Sequence, residues 1–373
     1  MLYNSFKKIS KNYWDTYFNF IANNQANIKS TGAPLFPSYI IFMNFGKYIG
    51  FELLGADIDP KPLRLKTAKY KDVHDYFNLF KDDIRNPHFL LTSTGVALEG
   101  LCLAHESDIS VAQERFPFIE LYPTKLVRKN GSGSVIEFGQ GFKDVYLERC
   151  TILNHKEGLF RCKNILFSAI FSKKISNAEL KFFFSNLLEP KEGENFINIH
   201  GIFTSEQNKK SILKASQLQN LYLSSGVHET TIGDFLNQSP EILKLAFKTD
   251  NFVHEPLLDW LEHDGLVKEK SINPDLFIKR DDGKYDIVDL KLALLNKKAI
   301  TTDQRARRKF IATVINGIAQ LANYKFYFSF EKNRNHAYEK YGIEIENPNL
   351  ILVVGSMENV NKDTVIEALR LHE

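Results

Sequence analysis

The stretch Asn273 to Lys291, NPDLFIKRDDGKYDIVDLK, constrains the fold more than any other part of the chain. It reads as a β-hairpin. The first strand runs from Pro274 to Lys279 and the second from Tyr285 to Lys291. The turn is Asp281-Asp282-Gly283-Lys284, where Gly283 supplies the positive φ that a tight turn needs. Side chains alternate faces along a strand, so Asp289 and Lys291 point one way and Leu290 the other. Asp275 leads the partner strand, and a short hairpin brings it toward Asp289. Two carboxylates and an ammonium at one end of an apolar hairpin cost folding energy unless something offsets the burial. A divalent metal held by the two acids, with Lys291 near its bound water, is the expected offset.

An acid-x-Lys triplet alone has little meaning. It occurs five times: Asp59 to Lys61, Glu179 to Lys181, Glu189 to Lys191, Asp282 to Lys284 and Asp289 to Lys291. The first and third contain prolines, the second is helical, where residues two apart do not share a face, and the fourth is the hairpin turn. Only the fifth sits on a strand with an acid on the preceding strand.

Pro274-Asp275, a turn, then Asp289-Leu290-Lys291 resembles the PD-(D/E)xK nuclease signature. The upstream HEPLLDWLEHDGL and downstream Gln320-Leu321-Ala322-Asn323-Tyr324 are similar to the nuclease domain of the Shedu family of bacterial anti-phage defence proteins. The resemblance covers roughly the last third of the chain. It implies a restriction-endonuclease-like mixed sheet flanked by helices over residues 231–373, preceded by an α+β sensor or regulatory region over residues 1–225. It also implies a metal-dependent endonuclease that cuts or nicks double-stranded DNA, phage DNA above all, and a homo-oligomer, dimer or tetramer. The metal would be Mg²⁺ or Mn²⁺, held by Asp275, Asp289 and the Leu290 carbonyl, a normal protein share for a hard cation. Lys291 would orient or deprotonate the attacking water, or stabilise charge on the phosphate. Glu255 matches the helical acid of the family and would be a further metal ligand, with Glu262 and Glu241 as substitutes. Gln320 and Tyr324, four apart and so on one helix face, match the QxxxY motif that steadies the lysine and the substrate strand.

The other readings of this segment are a catalytically silent DNA-binding or assembly module on the same fold, and an RNA-processing nuclease. The silent module predicts loss of Asp275, Asp289 or Lys291, and all three are present. The densest basic run is Arg305-Ala306-Arg307-Arg308-Lys309, with Lys297-Lys298 nearby. It would neutralise duplex phosphates or form a charged surface or oligomer contact. Asn316, Thr313, Lys309 and Arg305 extend the Gln320 face as the polar side of an amphipathic helix.

The length of 373 residues suits two or three domains, and a formal net charge of +3 carries no global nucleic-acid footprint. Abundant phenylalanine reads as a compositional bias of the source genome. Three cysteines, Cys102, Cys150 and Cys162, form no CxxC pair, which argues against structural zinc and for a reducing cytoplasm. The N-terminus lacks an apolar signal region, and the apolar run Tyr39 to Gly55 is too broken to span a bilayer. His254, His263 and His228 lack metal-ligand spacing, and His200 reads as structural. There is no GxxxxGK[ST] loop, no G-x-S-x-G elbow and no HExxH.

Along the chain, the patterns predict helices over Asn4 to Asn27, Val73 to Ile84, Ser176 to Leu188 with a Ser176/Glu179 capping box, and Ser211 to Leu223. They predict strands over Leu35 to Leu54, a β region from Phe89 to Phe171 with a turn at Asn130 to Gly133, and a strand from Asn195 to Phe203. The boundary falls at Ser224-Ser225-Gly226. Beyond it come helices Thr231 to Asn237, Pro240 to Phe247 and Glu255 to His263, the hairpin, a long helix from Asp303 to Phe328, a buried-type strand from Asn349 to Val354, and a helix from Asp363 to Leu371.

Overall fold

A computed structural model describes residues 3–24, 32–77, 96–116, 119, 121, 125–128, 142–156, 159–189, 199–205, 209–223, 229–292, 297, 299–304, 307–356 and 359–370. The chain divides into two compact units, Met1–Thr231 and Ile232–Glu373. The expected boundary at residues 224–226, the turn at 130–133 and His228 lie outside the described residues. No helix among the described residues is long and apolar enough to cross a membrane.

The first unit begins with α1 (Tyr3–Asn23) and β1 (Ala33–Leu35), followed by β2 (Tyr39–Phe45), β3 (Tyr48–Leu54) and β4 (Arg64–Lys69). Next come the single turn α2 (Val73–Tyr76), β5 (Val96–Glu99), β6 (Leu101–Ala104), α3 (Ile109–Arg115) and β7 (Lys125–Arg128). Two long strands, β8 (Asp144–Lys156) and β9 (Leu159–Ser172), lead to α4 (Asn177–Leu188), β10 (Phe203–Ser205) and α5 (Lys210–Leu223). One mixed sheet runs β4-β2-β3-β9-β8-β6-β7, with β5 paired to β8, and β1 pairs with β10. Among the described residues of Phe89 to Phe171 the expected β character therefore holds, with α3 as a helical interruption.

The buried stripe of α1 is Phe6, Ser10, Trp14, Tyr17, Phe18 and Ile21. Ile9, Tyr13 and Phe20 are only partly buried at its margin. The stripe packs with Phe42, Phe51, Phe167, Phe171 and Phe184, so the phenylalanines that look like compositional bias form the core. The α4 capping box is present: the Glu179 amide donates to Ser176 Oγ at 3.1 Å and the Ser176 amide to Glu179 Oε2 at 2.9 Å. Those bonds, with Lys143, hold the Glu179 carboxyl down at about 2. The three cysteines are buried and unbridged. A polar seam crosses the sheet where Lys163 Nζ meets Glu52 Oε2 at 3.0 Å and Tyr76 donates to the same oxygen at 2.9 Å.

The second unit is entered through α6 (Glu229–Gln238) and α7 (Pro240–Phe247), both as expected. The sequence then diverges from expectation. Residues 252–263 form no helix but β11 (Phe252–His254) and β12 (Leu258–Asp259), the latter paired with β13 (Ser271–Ile272). Pro256 explains this: it lacks an amide proton and pushes Glu255 out of the α region. Glu255 takes φ +44° and its amide donates to the Asp275 carbonyl at 2.9 Å, continuing the sheet.

The hairpin forms as β14 (Leu276–Lys279) and β15 (Tyr285–Leu290), with Gly283 at φ +85°. Arg280 braces its turn, bonding Asp282, Asp286 and the Glu346 and Asn347 carbonyls. A second correction follows. Of the expected helix from Asp303, the first part is a further hairpin, β16 (Thr301–Gln304) and β17 (Arg307–Phe310), and only then does α8 (Ala312–Tyr327) begin. Burial of Ile300 and Phe310 with Val314 and Ala368, and a cross-strand Asp303–Arg308 pair at 2.9 Å, outweigh local helix propensity there.

The sequence reading missed α9 (Glu331–Tyr341), whose face is almost wholly polar. The last elements are β18 (Leu350–Val353) and α10 (Lys362–Leu369). The sheet order is β11-β14-β15-β18, antiparallel except for the parallel β15–β18 pair. The fold is thus a mixed sheet flanked by helices. As a central strand β15 is buried along its whole length. β18 is an edge strand, and the expectation of a buried strand there is corrected: Leu350 is 37% and Val353 38% exposed.

Candidate active site

Hairpin register builds the site. Leu276 pairs with Val288, so Asp275, one residue before β14, comes level with Asp289. The Leu290 amide donates to Asp275 Oδ2 at 2.6 Å and fixes that carboxylate at the end of β15. Asp289 is 1% exposed. Burial raises its carboxyl above the usual range, opposed by Lys291 and by a hydrogen bond from Asp275. The Lys291 amide donates to the Val353 carbonyl at 2.8 Å, so the parallel ladder continues one residue past β15. That places Lys291 Nζ 2.8 Å from Asp289 Oδ2, an ion pair without hydrogen-bond alignment.

A relay of contacts runs from Lys291 into α8. Lys291 Nζ donates to Gln320 Oε1 at 2.9 Å, Gln320 Nε2 donates to the Tyr324 hydroxyl, and that hydroxyl donates to the Asn273 carbonyl at 3.3 Å. Burial first, then the nearby Asp289 and Asp275 charges, push the Tyr324 phenol up to about 12, so it stays a donor. α8 seats closely on the sheet because Gly317 lies under Leu352; a Cβ there would stand 2.7 Å from Leu352 Cδ1. Gln320 and Tyr324 also line an open groove of about 780 Å³ with Asp264, Leu266, Lys268 and Asn273.

Asp275, Asp289, Lys291, Gln320 and Tyr324, expected from the sequence, therefore come together. Leu290 joins them through its amide. Glu255 reaches the neighbourhood by its backbone, from a strand end rather than a helix, and its carboxylate lies against Gly233 of α6. Glu262 is drawn off elsewhere, accepting from the Lys332 amide at 3.2 Å at the start of α9, and Glu241 lies in the first turn of α7. Of the basic run, Arg305 lies outside the described residues, as does Lys298. Arg307, Arg308 and Lys309 sit on β17, not on a helix face, and Arg308 is engaged by Asp303 at 2.9 Å and Glu367 at 3.5 Å. The Asn273 carbonyl, which accepts from Tyr324, is not among the contacts expected from the sequence.

The donor set fits a hard divalent cation. Two carboxylates converge, and Asp289 is buried with a single ammonium, that of Lys291, 2.8 Å from its Oδ2. A hard cation between the two carboxylates would add positive charge where burial disfavours the ionised form of Asp289.

No curated protein and no solved structure matches the chain. Residues 226–373 match the family model described as Shedu protein SduA, C-terminal, and over that segment the resemblance to the Shedu family read from HEPLLDWLEHDGL and from Gln320 to Tyr324 is borne out.

Proposed function

We propose that residues 231–373 form a PD-(D/E)xK nuclease domain of restriction-endonuclease-like fold that hydrolyses double-stranded DNA in defence against phage. The observation that carries this reading is the continuous set of contacts from Asp275 and Asp289 through Lys291 and Gln320 to Tyr324. Five polar side chains from two strand ends and a helix converge, and two of them, Gln320 and Tyr324, line an open groove.

Asp275 and Asp289 would hold Mg²⁺ or Mn²⁺, which when bound supplies charge neutralisation at the phosphodiester and an activated water. Lys291 places its ammonium where charge develops on the phosphate, and Gln320 holds it there. Tyr324 fixes the amide orientation of Gln320, so that its carbonyl faces the lysine. The groove beside Gln320 and Tyr324 takes the substrate strand. Arg307 and Lys309 on the β16–β17 hairpin add phosphate contacts.

Incubation of purified protein with supercoiled plasmid tests the proposal. Nicked or linear product is expected with Mg²⁺ and not with chelator, and none from Asp289→Asn or Lys291→Ala. Cutting without metal, or an active Lys291→Ala protein, would refute it. Binding of DNA without cutting by the wild type would favour the silent module, and cleavage of RNA in place of plasmid an RNA-processing role.

A further inference from the structure

A second cluster of ligand-type side chains lies in the first unit, apart from the nuclease reading. Among the described residues, Glu99, Glu148 and His200 each offer a donor atom, and the three atoms lie within 4.8 Å of one another. Glu99 ends β5 and pairs in register with Glu148 on β8. The two strands are parallel, so both carboxylates rise from one side of the sheet. Like charges so placed repel one another, and Glu148 is fully buried.

The chain is built to deliver a histidine to that pair. Gly201 holds φ +65°, and a Cβ there would stand 2.8 Å from Leu53 Cδ1 and 3.0 Å from Trp14, so only glycine lets the turn close on the sheet. Closed, the turn sets the His200 Nδ1 2.6 Å from Glu148 Oε2, while the Gly201 amide donates to Glu148 Oε1 at 2.9 Å. The His200 amide donates to the Tyr17 hydroxyl at 3.0 Å. Tyr146 donates to Glu99 Oε1 at 2.7 Å, and burial followed by that bond keeps its phenol protonated. Tyr146 and the Gly201 amide thus orient the two carboxylates, and the Tyr17 hydroxyl fixes the backbone that carries His200, supports of the kind that metal ligands show.

We propose that Glu99, Glu148 and His200 bind one divalent transition-metal ion, of which Zn²⁺ is the representative. One imidazole nitrogen and two carboxylate oxygens suit zinc or manganese, whereas magnesium favours oxygen alone. Donors about 2.1 Å from an ion lie about 3.4 Å apart when tetrahedral, so the His200–Glu148 contact at 2.6 Å opens to admit the ion while Glu99, which is exposed, moves toward it. A bound ion brings two positive charges to two carboxylates, which the imidazole alone does not. It also ties β5, β8 and the 199–201 turn together, giving the first unit a dependence on metal that cleavage chemistry does not require.

Calorimetric titration of chelator-treated full-length protein with ZnCl₂ tests this, because the C-terminal carboxylates are the same in every protein compared. A site is expected in the wild type that His200→Ala and Glu99→Gln each weaken by at least about tenfold. Glu99 is exposed, so Glu99→Gln retains the fold even if His200→Ala does not, and melting without zinc verifies it. Zinc binding by a folded Glu99→Gln protein equal to that of the wild type, or no zinc binding by the wild type, would overturn the proposal. Plasmid cleavage plays no part in the readout, so this inference and the nuclease reading fail separately.

Discussion

Gln320 and Lys291 meet at 2.9 Å, the amide oxygen of one accepting from the ammonium of the other, although one belongs to α8 and the other follows β15. The bond fixes the lysine from the helix side while Asp289 fixes it from the strand side. The rotamer of Lys291 is therefore set before any substrate arrives.

Removal of that fixation should slow cutting without unfolding the domain. Gln320→Ala is expected to lower plasmid cleavage about 10- to 100-fold, the usual loss when a supporting partner is deleted. Tyr324→Phe removes one hydrogen bond and should cost about two- to tenfold. Single-turnover cleavage rates beside thermal melts separate this from misfolding.

Asp289 should make the protein less stable as pH rises when metal is chelated. Its folded carboxyl is raised by burial, so the native state binds the proton more tightly than the unfolded state does. Stability from this group is full below the unfolded carboxylate value and is lost as pH climbs through the raised folded value. Asp289→Asn removes the effect. Melting midpoints in chelator between about pH 4 and pH 8 should fall less with rising pH in the variant than in the wild type. A steeper fall in the variant would contradict the assignment.

Glu255 holds a left-handed backbone at φ +44°, a conformation that costs a residue with a Cβ about 1 kcal/mol or more. Glu255→Gly should relieve that cost and raise stability by about 1 kcal/mol. If its carboxylate assists the metal, the same variant should lose about tenfold or more in cleavage. Urea unfolding and cleavage assays on one preparation measure both.

The Lys163–Glu52 pair in the first unit is buried on both sides, at 3.0 Å. Lys163→Met should destabilise by about 3–5 kcal/mol, because it leaves Glu52 charged and uncompensated. Adding Glu52→Gln should recover much of that loss. Denaturant midpoints of the single and double variants report the difference.

Ser176→Ala should cost about 1 kcal/mol through loss of the α4 cap. The small size of the effect against that of Lys163→Met is itself the check, since the cap is exposed and the pair is not.

By itself the sequence determined whatever depends on neighbours in the chain. Gly283 specified the turn, strand alternation put Asp289 and Lys291 on one side, helical spacing put Gln320 beside Tyr324, and Ser176 with Glu179 specified a cap. Each of these is set by backbone geometry within a few residues. Tertiary structure alone decided whether residues 303–310 curl or pair, since burial of Ile300 and Phe310 against α10 made the hairpin. It likewise placed Glu255 at a strand end and brought Glu99 and Glu148 to His200. Those outcomes depend on partners distant in the chain, whose approach is fixed by sheet register and core packing, and no local pattern of residues encodes them.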